Sequence, residues 1–196
     1  MFVLFIASNL LLQCVQATVY PVQPKPMEPL VQDLNTKVIN SKLAGSSGLD
    51  RKLLNLSLAI TYFKESKWKR SYELLNGLND LKYLDRHIKY FKSISAINAY
   101  DDGAHIRSAL NDLYYLNGRG GPTAEDLKQY IAKAEFKLSL AEAKAGNYIL
   151  ALDLLSRARK NSYSDLKSEF ELASIFAKWD KKISHELILE LYRRYG

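Results

Sequence analysis

Residues 58–71, LAITYFKESKWKRS, and residues 138–151, LSLAEAKAGNYILA, are one phrase written twice. In the first copy Leu58-Ala59 leads through Tyr62, Ser66 and Trp68 to Ser71; in the second Leu138 leads through Gly146-Asn147-Tyr148 to Ala151. A small residue, a tight corner, an aromatic and another small residue at these intervals let two antiparallel helices approach closely. Hairpins of this kind stack, each covering the face its neighbour leaves open. The pattern points to a binding scaffold rather than to an enzyme.

Outward from this phrase the helical spacing continues. From Asp50, Leu53, Leu54, Leu58 and Tyr62 share one side while Lys52, Lys64 and Glu65 take solvated positions. A returning helix is expected over 68–81. Further helices are expected over 85–99, 104–117, 123–145, 147–160, 165–178 and 183–195, preceded by a short one near 30–42. Connections of two to five residues make neighbours antiparallel. Asp101-Asp102 before Gly103 reads as a helix terminator and N-cap rather than a calcium loop, since Ala104-His105-Ile106 supplies no alternating oxygen ligands. Asn117 to Pro122 is the longest break, and Thr123 with Asp126 forms a capping-box-like start after it.

The 196 residues, almost half of them hydrophobic and a quarter charged, suffice for one buried core. Four of the five prolines, Pro21, Pro24, Pro26 and Pro29, fall in one stretch, so the remainder contains only Pro122, which suits long helices. Residues 1–17, MFVLFIASNLLLQCVQA, are uncharged and end in the small-residue pattern of a signal-peptidase site, although a positive n-region is missing. The run is short for a membrane span. We read 1–17 as a signal peptide, 18–29 as a Pro-rich linker and 30–196 as the helical repeat domain. On that reading Cys14 leaves with the leader, the mature chain has no cysteine or membrane span, and the protein is exported, periplasmic or secreted. If the leader is retained, the chain is a cytoplasmic adaptor with Cys14 in its core. Asn55-Leu56-Ser57 is a glycosylation sequon, expected to go unused inside a packed helix.

These hairpins resemble tetratricopeptide repeats. Ala59, Tyr62, Trp68 and Ser71 match the family's small and aromatic places, with Ser66 where glycine is usual; Gly146, Tyr148, Ala151 and Ala158 match a later unit. Ile97, Tyr100, Ala109 and Leu113 supply a looser copy, and Ala173, Phe176 and Leu189 a fourth. The second-helix places Ser71, Ala109, Ala151 and His185 recur after 38, 42 and 34 residues. The resemblance implies an all-α, right-handed solenoid of about four antiparallel hairpins, with another α-solenoid or a helical bundle as alternatives. It implies a groove lined by first helices, for which Ile60, Phe63, Lys64, Phe136, Leu140 and Phe170 are the candidate partner-binding residues.

No chemistry competes with this. His87, His105 and His185 are far apart in the sequence, and no nucleophile elbow, phosphate loop or metal spacing is present. Gly118-Arg119-Gly120-Gly121 lacks the strand and lysine of a phosphate cradle. The net charge is +7, and 50–92 holds ten basic and five acidic side chains, or +5. Lys64, Lys67, Lys69 and Arg70 alternate with Tyr62, Phe63 and Trp68, a mixture suited to an acidic polymer or protein. No nucleic-acid motif accompanies it, and nucleic acid is not an expected partner. The expectation is a non-enzymatic, cofactor-free scaffold for a protein or peptide partner in the cell envelope or a secretion complex. The last apolar face is expected to need a cover, and the candidates are a second copy, giving a homodimer through the C-terminal edge, a partner protein or a further domain. The alternative is the non-catalytic superhelical arm of a peptidoglycan-processing lytic transglycosylase, which the YRRY ending, residues 192–195, resembles.

Overall fold

Ser66 and Gly146, the residues at the two corners, both adopt left-handed backbone, with φ of 57° and 85°. The hydrogen bonding around them is the same. Lys67 N–H donates to the Tyr62 carbonyl at 2.8 Å and Ser66 N–H to that of Phe63 at 3.0 Å. In the second copy Asn147 N–H donates to Glu142 at 2.9 Å and Gly146 N–H to Ala143 at 3.1 Å. This paired closure uses carbonyls that a helix end otherwise leaves without partners. The next residues agree as well: φ and ψ are −84° and 60° at Lys67 and −85° and 58° at Asn147.

The computed structural model describes residues 36–118 and 124–195, and all of their regular structure is helical. The elements are α1 (Thr36–Leu43), α2 (Gly48–Lys64), α3 (Trp68–Asn76), a 3-10 turn at Lys82–Leu84, α4 (Asp85–Ala99), α5 (Gly103–Asn117), α6 (Ala124–Lys144), α7 (Tyr148–Lys160), α8 (Leu166–Phe176) and α9 (Lys181–Tyr195). The expected leader at 1–17, the linker at 18–29, the break at 119–122 and the Thr123 cap lie outside the described residues. At the other predicted cap, Asp102 accepts the His105 N–H at 3.0 Å and starts α5.

Equivalent places in the two copies are buried alike: Leu58 and Leu138, Ala59 and Ser139, Ser71 and Ala151, Leu75 and Leu155. The two interior polar places are satisfied. Ser139 Oγ donates across to the Ala151 carbonyl at 2.7 Å, and Ser95 Oγ donates to Ser71 Oγ at 3.0 Å. Small side chains there bring the helix backbones close, and their hydroxyls find partners rather than remaining stranded in the interior.

From α1 to α7 each helix packs on its successor, and α8 packs on α9. The even-numbered helices also touch in order, α2 on α4, α4 on α6 and α6 on α8. The core accordingly falls into three successive clusters. One runs from Leu53 to Phe91, a second is centred on residues between Ala96 and Leu154, and a third on residues between Phe136 and Leu187. Tyr72 from α3 and Tyr90 from α4 pack against the second.

Several boundaries differ from the sequence expectation by a residue or more, and two of the differences have a local cause. The helix expected over 68–81 stops at Asn76, because Gly77 ends it and Asn79-Asp80 favour turns over helix; Leu78 then folds into the first core and Leu84 follows through the 3-10 turn. The helix expected from 183 begins at Lys181, because Asp180 Oδ1 accepts the N–H groups of Lys182 at 2.8 Å and Ile183 at 3.3 Å.

Candidate functional site

The corners that lead from an even-numbered helix into the next one, at 65–67, 100–102, 145–147 and 177–180, are linked in sequence by side-chain contacts. The Tyr72 ring meets Tyr100 edge-on at 5.1 Å and His105 at 5.4 Å, tying α3 to the second corner. Tyr100 in turn stacks on His105, centroids 4.0 Å apart and planes 8° from parallel. The Arg107 guanidinium, in α5, reaches the Glu142 carboxylate at the end of α6. Between them α5 starts hard against α6: a Cβ on Gly103 would lie 3.6 Å from that of Ala141. Tyr148, opening α7, stacks on Trp179 in the fourth corner at 4.9 Å and 13°.

The third and fourth corners form the most developed part of this row. Glu142 is buried, and both its oxygens are engaged: Oε1 by Arg107 and Oε2 by Asn147 Nδ2 at 2.7 Å. A carboxylate removed from water needs such partners. The two groups hold α5, α6 and the start of α7 in register. Beside them lies an open depression of about 580 Å³, walled by Tyr148, Ile149, Leu150 and Trp179. Ile149 is 75 % exposed, and Leu150 and Trp179 are also exposed. Exposed apolar side chains gathered beside a satisfied ion pair have the make-up of a binding surface, an apolar centre with a polar edge.

The first corner offers the opposite chemistry. Lys69 and Arg70 stand in the first turn of α3 where Ile149 and Leu150 stand in the first turn of α7. Lys64, Lys67, Lys69 and Arg70 are exposed, with Lys67 and Arg70 each 5.7 Å from the Tyr62 ring centre and Lys67 also paired with Glu65 at 2.6 Å. Between the two extremes the second corner is acidic. Asp101 pairs with Lys137 at 2.8 Å. Asp102 is held below the usual carboxylate range, first by the His105 backbone N–H and then by the His105 imidazole, 2.8 Å away. Burial, with Tyr100 and Asp102 nearby, pushes the Tyr72 phenol up. The row thus runs from cationic through anionic to apolar.

The six expected groove residues do not form one surface. Ile60 and Phe136 are interior and therefore corrected to core: they sit in the first and third clusters. The reason is visible in the repeat, because Phe136 occupies the place of Leu56, also buried, and both copies turn that place inward. Phe63 is half-buried between Trp68 at 5.1 Å and Phe91 at 4.9 Å. Leu140 is half-buried on the third cluster, while Lys64 and Phe170 are exposed. Of the histidines, His87 is half-buried, His105 pairs with Asp102 and His185 is exposed. Arg107, Ile149, Leu150 and Trp179 were not among the expected residues. The helical period carried the signal for two of them, since Ile149 and Leu150 lie between inward-facing Tyr148 and Ala151 and must face out.

No family model, curated protein or solved structure matches this chain. Among the described residues no group of His, Cys, Asp or Glu is placed to hold a metal ion, and no helix is long and apolar enough to cross a membrane.

Proposed function

We propose that this chain is a non-enzymatic scaffold, a right-handed solenoid of tetratricopeptide-like hairpins, that binds a segment of a partner protein along its row of corners. The observation supporting the repeat reading is the matched burial of Leu58 and Leu138, Ala59 and Ser139, Ser71 and Ala151, and Leu75 and Leu155, reinforced by the ordered contacts of α2, α4, α6 and α8. The same corner displays cations in one copy and apolar side chains in the other. This is how a repeat protein acquires specificity: a constant interior holds variable exposed positions at fixed spacing. The shoulder of Ile149, Leu150 and Trp179 takes apolar side chains of the partner, and the Lys69–Arg70 end takes its acidic residues. The uncharged, apolar run at 1–17, read as a signal peptide, supports placing this scaffold in the envelope or outside the cell.

The test is selection of peptides from a random library on the purified full chain, followed by calorimetry on the chain and its variants. Selected peptides are expected to combine apolar and acidic residues and to bind at least about tenfold more weakly to Leu150→Asp. Failure to select any saturable ligand, or ligands indifferent to Leu150→Asp and Lys69→Glu, overturns the reading.

A further inference from the structure

The outer side of α9 presents a second surface, separate from the corner row. Its inner side is committed: Leu187 and Leu191 are buried, and Ser184 Oγ donates to the Ala173 carbonyl at 2.8 Å. One flank is committed too, because Glu190 and Arg194 join Arg159 and buried Glu169, with Arg159 2.6 Å from Glu190 and Arg194 2.6 Å from Glu169. Opposite these, Ile188, Leu189 and Tyr192 are exposed, Tyr192 at 76 %. Glu186 and Arg193 are exposed beside them, and neither makes an ion pair among the described residues.

The spacing of these two charges identifies what covers the stripe. Seven residues are close to two helical turns, so Glu186 and Arg193 lie on the same flank about 10 Å apart along the axis. Opposite charges placed symmetrically about the middle of an apolar stripe are self-complementary. A second α9, run antiparallel about a two-fold axis passing between residues 189 and 190, sets its Arg193 level with Glu186 and its Glu186 level with Arg193. One contact is thereby made twice, as an isologous interface requires. Ile188, Leu189 and Tyr192 of both copies form the apolar centre between the two ion pairs.

We infer that the outer face of α9 joins two copies of this chain antiparallel, with Glu186 of each copy paired with Arg193 of the other. A parallel two-fold arrangement puts the charged flanks of the two copies on opposite sides of the seam and forms neither ion pair, so the charges also select the direction.

Sedimentation equilibrium of the purified full chain, over about 1–200 µM, tests this. The expected result is a reversible monomer–dimer equilibrium. Glu186→Arg or Arg193→Glu alone turns both attractions into repulsions and is expected to weaken the dimer about tenfold, whereas the double reversal restores it to within about threefold. A mixture of the two single variants is expected to form a heterodimer, since one brings two arginines and the other two glutamates. All positions are exposed, and circular dichroism checks that each variant keeps its helices. A monomer throughout the range, or a dimer whose strength ignores the single reversals or is not rescued by the double one, overturns the inference. None of these outcomes depends on the partner of the corner row.

Discussion

Lys137, in α6, donates from its ammonium to the Ile97 carbonyl at 2.7 Å, in the last turn of α4. The same Nζ reaches the Tyr100 carbonyl at 3.1 Å and Asp101 Oδ1 at 2.8 Å. A cation from one helix thus caps the C-terminus of another, where carbonyls lack partners and the helix dipole is negative. Lys137→Met is expected to lower the unfolding free energy by about 1–3 kcal/mol, read by urea denaturation. Lys133→Met, which removes only the 2.7 Å bond to the Asn98 side chain, is expected to cost less.

Ser66 holds a conformation that its counterpart Gly146 adopts without strain. Ser66→Gly is expected to raise stability by about 0.5–1 kcal/mol, and Gly146→Ala to lower it by about 1 kcal/mol, although nothing lies within 4 Å of a Cβ at Gly146. Thermal denaturation of the two variants measures this. Equal and small effects at both sites would show that the left-handed corner carries no cost.

Glu169 is buried in α8 and contacted by the guanidinium groups of Arg159 from α7 and Arg194 from α9. Removing the carboxylate leaves two cations facing each other. Glu169→Ala is expected to destabilise by about 3 kcal/mol or more. Glu190→Ala, at the half-exposed end of the same network, is expected to cost about 1 kcal/mol or less. Chemical denaturation of both variants decides whether the buried member dominates.

His87 gives the fold a pH dependence. Burial, with Arg86 adding, holds its imidazole below the ordinary range, and its buried Nδ1 has no hydrogen-bond partner among the described residues. The folded chain therefore binds this proton less readily than the unfolded chain. Its contribution is complete above the unfolded pKa of about 6.5 and is lost as pH falls through the window below it. The Glu135 carboxyl, pushed up mainly by burial, acts with the opposite sign: it favours the fold at low pH and loses that contribution as pH rises. The informative quantity is the difference between His87→Phe and the unaltered chain. The variant is expected to lose less stability on going from about pH 7.5 to 5, measured by denaturation at each pH.

The fold was legible where local chemistry and the helical period agree. Residues 85–99 are read from the sequence with the bounds of α4, and Asp102 was identified as the cap that starts α5. Legibility fails where a residue is placed by something distant. Nothing local says that Leu78 abandons its helix to enter the first core, or that Arg107 in α5 reaches Glu142, thirty-five residues on. Ile60 and Phe136 were misplaced for another reason. Assigning them to a groove treated the first helices as having one open face, whereas α1 and α4 against α2, and α4 and α8 against α6, leave little of that face free.

The three successive cores also set a timetable for synthesis. Every residue of the first cluster lies between Leu53 and Phe91, so it closes without waiting for anything downstream. Leu187 of the third cluster follows Phe91 by 96 residues, roughly 5–20 s at ordinary rates of translation. Packing between near neighbours in sequence takes microseconds to milliseconds. All partners of the first core have therefore been made while much of the chain has yet to leave the ribosome, and each later helix adds cover to the face its predecessor leaves open.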